Sequence, residues 1–130
     1  MLLASLIFTA LAALVHVYIF VLESLRWTAE STRRTFGLNA SQAHATKEMA
    51  FNQGFYNLFL ALVAAAGIIA AALGHHGVGA ALVLAGCGSM VAAGMVLLIS
   101  SPKKAKAAVV QLAMPAFAVA LLLFWLAASS

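Results

Sequence analysis

Four long apolar runs divide the chain: about Leu2 to Leu25, Met49 to Leu73, Val78 to Ile99, and Ala107 to Ala127. Each holds roughly 20 residues or more, enough for a helix rising about 1.5 Å per residue to cross a hydrocarbon core of about 30 Å. None alternates polar and apolar positions in the manner of a barrel strand. In lipid the backbone N–H and C=O groups must bond within the segment, so each run is expected to be a helix. The pattern predicts an all-α fold: one domain over residues 1–130, built as a four-helix transmembrane bundle.

The breaks between runs set the connectivity. The first is long, from Arg26 to Lys47, and carries Arg26, Arg33, Arg34 and Lys47. The third is short and carries Lys103, Lys104 and Lys106, while the second, Gly74 to Gly77, has no Lys or Arg. Four crossings put the first and third connections on one side. The positive-inside rule makes that side cytosolic and leaves both termini outside. Phe36-Gly37-Leu38-Asn39 reads as a turn, with Asn39 or Ser41 as the cap of a helix leading into the second run. The four-residue second connection forces an antiparallel hairpin.

Composition agrees with a membrane address. The chain is 65% hydrophobic and only 8% charged, against about a quarter charged in ordinary soluble domains. The net charge of +4 lies in the two basic connections, so it marks topology and not nucleic-acid binding. The first twenty residues lack a basic leader and read as a retained first span, not a cleaved signal. The single Cys87 permits no internal disulfide and reads as a packing residue. A multi-pass protein of a bacterial inner membrane, with the lipid bilayer as its first partner, is the expectation.

Within the third run, Ala85, Ser89 and Ala93 recur every four residues, a spacing that lets helices approach closely in lipid. The partner is another span or another subunit, a dimer or trimer in the latter case. Pro115 in the fourth run frees a carbonyl one turn back, near Gln111. Trp27 and Trp125 are expected at the two interfaces.

The second run holds Asn52, Gln53, Tyr56 and Asn57 where lipid contact would favour Leu or Val. They form two adjacent i, i+4 rows on one helix sector. On the first run, His16, Phe20 and Glu23 share a face. Gln111 is placed at a comparable depth. Ionisable groups inside spans normally face the bundle interior. Glu23 is therefore the candidate acid or base, with Asn52, Gln53, Tyr56, Asn57, Gln111 and His16 as candidate ligand-binding groups. His16 alone reads as a hydrogen-bonded core histidine before a shuttle or haem ligand. No HExxH, CxxC, phosphate loop or catalytic-triad pattern occurs, no metal site is expected, and no cofactor is specified.

The stretches HVYIFVLESLRW, TFGL and ATKEMAFNQGFYNLFLA resemble a bacterial family of small four-span membrane proteins. That resemblance implies the fold and carries no activity. A weaker, architectural resemblance is to the membrane-associated glutathione and eicosanoid enzymes. It implies four spans, outside termini, trimers with sites between subunits, and an Asn in the cytosolic part of the second span, here Asn52. The arginines with which those enzymes hold glutathione have no counterparts: from Ala45 to Phe51 only Lys47 is basic.

Three functions stay open on the residues. The polar cluster lines a pocket for a lipophilic small molecule, bound or transformed there. Alternatively it only fixes helix packing in a structural subunit. An oligomeric transporter is the third reading, disfavoured because the outer halves of the spans are apolar.

Overall fold

The computed structural model describes all 130 residues, Met1 to Ser130, and contains helices and no strand. The long helices are α1 (Leu2–Phe20, prolonged by a π turn Val21–Leu25), α4 (Lys47–Ala72), α5 (His76–Ser100) and α6 (Ala105–Ser129). Short helices α2 (Glu30–Phe36) and α3 (Ala40–Ala45) occupy the long first connection. All four long helices are long and apolar enough to cross a membrane. They form a ring in which α1 packs on α4 and α6, and α5 packs on the same two. α1 faces α5, and α4 faces α6, across the diagonals. The first and third connections share one end, called here the basic end.

Local chemistry explains the turns. Asn39 caps α3: its side chain accepts from the Gln42 N–H at 2.8 Å, and Gln42 Oε1 accepts from the Asn39 N–H at 2.9 Å. Such a capping box satisfies two otherwise orphaned donors. Gly37 (φ +68°) and Gly74 (φ +86°) end α2 and α4 in the left-handed region, which costs glycine nothing. Pro102 opens a 3₁₀ turn through Lys104 that leads into α6. Pro115 is fully buried, and α6 remains helical through it.

Lipid removes the usual reason for burying large side chains. Here Leu3, Ile7, Leu14, Phe59, Leu62, Ile69, Val96, Ile99, Phe117 and Leu123 all point outward. The inner faces are built largely of small residues, which let the backbones approach and gain dispersion contact. On α4 the buried positions are Ala50, Gly54, Asn57, Ala61, Ala64, Gly67 and Ala71, at steps of three and four. On α5 they are Gly79, Ala80, Val83, Gly86, Cys87, Met90 and Gly94. The Ala85–Ser89–Ala93 row lies beside this seam: Ser89 and Ala93 are exposed, and Ser89 Oγ donates to the Ala85 carbonyl of its own helix. Contacts within the chain therefore use the glycine row instead.

The closeness of the α4–α5 seam is measurable. A methyl group on Gly79 would stand 2.8 Å from the Ala71 backbone N and 2.9 Å from the Gly67 carbonyl oxygen. One on Gly67 would stand 2.9 Å from the Val83 backbone N. Gly88, by contrast, has open space around it. Gly79→Ala and Gly67→Ala should each lower stability in detergent by about 1–3 kcal/mol, the usual cost of overpacking. Gly88→Ala should be neutral or slightly stabilising, because alanine favours helix. Thermal unfolding followed by circular dichroism decides between these outcomes.

Candidate functional site

The π turn at the end of α1 positions Glu23 and Ser24. A π turn carries one residue more than an α turn, and such turns recur at functional sites. Here it presses Ser24 against α4 at a place where α4 has no side chain. A methyl group on Gly54 would collide with Ser24 Oγ and stand 2.9 Å from the Ser24 backbone N. Ser24 Oγ donates to the Phe51 carbonyl at 2.7 Å, clamping the two helices together. Phe20 meets Phe55 edge-on at 5.1 Å, a further contact between α1 and α4.

Glu23, the residue before Ser24, meets a different group of α4. Its Oε2 accepts from Asn57 Nδ2 at 2.9 Å. Asn57 is only 5% exposed, and the same nitrogen donates to the Gln53 carbonyl at 3.1 Å. The amide is thus fixed by its own helix and aimed at the carboxylate. In a low-dielectric setting a fixed donor is worth more than in water, and an unmatched carboxylate costs more.

Next to this pair lies an open pocket of about 200 Å³, lined by Glu23, Trp27, Thr46, Met49, Ala50 and Gln53. Its floor is held by a relay: Trp27 Nε1 donates to Thr46 Oγ1 at 3.0 Å, and Thr46 Oγ1 donates to the Gln42 carbonyl at 2.8 Å. The Trp27 ring also packs on Phe36 at 4.9 Å. Trp27 therefore ties the end of α1 to α2 and to the start of α4, beyond the interfacial role expected of it. A drug-sized ligand commonly fills about 300–1,000 Å³, so this pocket suits a head group and not a whole molecule.

The sequence candidates separate. Glu23, Asn57 and Gln53 come together. Asn52 is exposed and donates to the Glu48 carbonyl of its own helix. Tyr56 is 62% exposed and stands on the outer flank of α4. Gln111 is half-buried on α6, diagonal to α4, and makes no side-chain hydrogen bond within the chain. The two i, i+4 rows therefore split: the α1–α4 seam runs beside Asn57, and its neighbours turn away from it. His16 is fully buried, with Nδ1 donating to the Ala12 carbonyl at 2.9 Å and Nε2 without a protein partner.

Sequence reasoning missed Trp27 and Thr46 as pocket residues, because their pairing joins two ends of a long connection. It also missed Ser5 and Thr9, which are fully buried in the half of α1 expected to be apolar. Ser5 Oγ donates to the Ala118 carbonyl of α6 at 2.7 Å, and Thr9 Oγ1 to the Ser5 carbonyl at 2.8 Å. Their i, i+4 spacing in line with Ala12 and His16 was the available signal. No cluster of His, Cys, Asp and Glu suited to a metal is present.

Asn57→Leu removes the fixed donor and leaves Glu23 unmatched, which should cost about 1–3 kcal/mol. Glu23→Gln keeps an oxygen for Asn57 and should cost less, near the roughly 0.6 kcal/mol typical of an interhelical bond in lipid. Thermal unfolding of both variants in one detergent tests the order.

Neither a curated protein nor a solved structure matches the chain. Residues 10–123 match the model of a family described as "Protein of unknown function (DUF1304)". That span takes in the π turn, the capped connection and all of α4 and α5. The chain belongs to this family.

Proposed function

We propose that this protein binds the polar head of an amphipathic small molecule in the pocket beside Glu23, at the cytosolic face of a bacterial inner membrane. The single observation that carries the reading is the state of the Glu23 carboxylate. One oxygen is held by Asn57, and the side chain lines an open pocket. A carboxylate kept only to bind helices together gains nothing from an opening beside it. Met49, Gln53, Tyr56 and Leu60 follow one another at steps of four and three along one flank of α4. A tail leaving the pocket would run along that flank, past the exposed Tyr56 ring.

The packing reading is favoured by a different observation. The Ser24–Phe51 bond, the Gly54 contact and the Asn57–Glu23 bond all join α1 to α4. The two readings diverge at the mouth of the pocket. Gln53 is exposed and bonds nothing through its side chain, so Gln53→Phe should fill the pocket without loosening the bundle.

The probe is a neutral long-chain alcohol carrying bromine beside its hydroxyl, which quenches indole on contact. In a Trp125→Phe background Trp27 is the sole tryptophan. Its emission should fall saturably as the alcohol is added in maltoside micelles. Adding Gln53→Phe to that background should abolish the saturation while the melting temperature holds. The reciprocal protein, with Trp27→Phe and Trp125 retained, should quench without saturation. Linear quenching of both tryptophans would leave only the packing reading.

The orientation has its own check. Cys87 is buried, so cysteines introduced at Lys104 and Ser130 report alone. In intact cells an impermeant maleimide should label the Ser130 site and spare the Lys104 site. The reverse pattern would invert the topology and put the pocket outside.

A further inference from the structure

We propose that the pocket selects a protonated amine, so that its ligand is a cationic amphiphile. The inference rests on the binding reading above and comes from counting donors and acceptors. The Trp27 N–H is committed to Thr46, and the Thr46 hydroxyl is committed to the Gln42 carbonyl. Asn57 Nδ2 spends its donors on Glu23 and on the Gln53 carbonyl. Among the lining residues only the Gln53 amide keeps free donors. The pocket contains no Lys or Arg. Lys47 lines a separate open hollow with His44, Ala45, Glu48 and Phe51.

What remains facing the ligand is acceptor character: the Glu23 carboxylate, the indole of Trp27 and the thioether of Met49. A carboxylate, phosphate or sulfate head would meet an ionised Glu23 with almost no donor to offset the repulsion. An ammonium head donates to the carboxylate and lies beside the Trp27 indole, two interactions that favour cations. For an amine, proton placement does not change the outcome. An amine either brings its proton to the carboxylate or takes one from it, and both routes end in the same ion pair. The pocket's small volume suits a primary ammonium on a short stem, with the tail outside. Such a head is carried by a free long-chain amine or by an ethanolamine lipid.

The test uses Trp27 emission in the full chain bearing Trp125→Phe, in maltoside micelles, with dodecylamine, dodecanol and dodecanoate as probes. Dodecylamine should perturb the emission saturably, with a midpoint about ten- to a hundredfold below that of dodecanol, as one added charge-assisted hydrogen bond implies. Dodecanoate should not saturate. Glu23→Gln, whose amide oxygen still serves Asn57, should bring dodecylamine to the midpoint of dodecanol. Equal midpoints for amine and alcohol in the unmodified pocket would overturn the amine assignment while leaving amphiphile binding intact, and need no variant. Saturation by none of the three would overturn both. Adding phosphatidylethanolamine as a competitor assigns the source: displacement of dodecylamine supports the lipid, and its absence supports the free amine.

Discussion

In lipid, helices gain little from hiding apolar side chains from one another, so they must associate through close backbone contact. That constraint governs this chain. Many of its large apolar residues face outward, and its seams run largely through small residues, with Val83, Met90 and Leu122 among the few larger ones buried. At Gly67, Gly79 and Gly86 the neighbouring helix stands where a side chain would otherwise be. Gly54 makes the same allowance for the π turn of α1. Without that approach Ser24 would not reach the Phe51 carbonyl, and Glu23 would not be offered to Asn57.

The polar groups follow from that framework. A seam of small residues leaves room for one large amide, Asn57, and the amide is held by its own helix before it meets the carboxylate. The π turn then offers Glu23 to Asn57 while Ser24 bonds the Phe51 carbonyl. The Trp27–Thr46–Gln42 relay ties down the connection and consumes the donors around the pocket. An acidic, donor-poor recess in a chain of net charge +4 is thus a consequence of how the basic end is assembled. Its cations sit in the connections, and none lines the recess.

Much of the fold was legible from hydropathy, because a span must be a helix and its length is set by the bilayer. The turn at Gly37 was legible too, and the cap down to Asn39 or Ser41, because both are local chemistry. Which polar residue faces inward was harder to read. Asn52, Gln53, Tyr56 and Asn57 lie within two turns, and a polar side chain on a span has no apolar stripe to measure its direction against. The seam is traced by glycine and alanine, and these point at Gly54 and Ala61, hence at Asn57. Ser5 and Thr9 were overlooked because a small hydroxyl needs only one backbone carbonyl, of its own helix for Thr9 and of α6 for Ser5, and so passes as apolar. The Trp27–Thr46 pair lies beyond local reasoning, since its partners are brought together only when α2 and α3 fold back.

The most direct measurement is to map where an amphiphile touches the chain. A long-chain amine with a photoreactive group beside its nitrogen would be activated in micelles holding the full chain, and the labelled peptides sequenced. The account predicts labelling concentrated on Trp27, Met49 and Gln53, suppressed by excess dodecylamine and by Glu23→Gln. Labelling spread over outward-facing residues such as Leu14, Val96 and Phe117, indifferent to competitor and to Glu23, would contradict it.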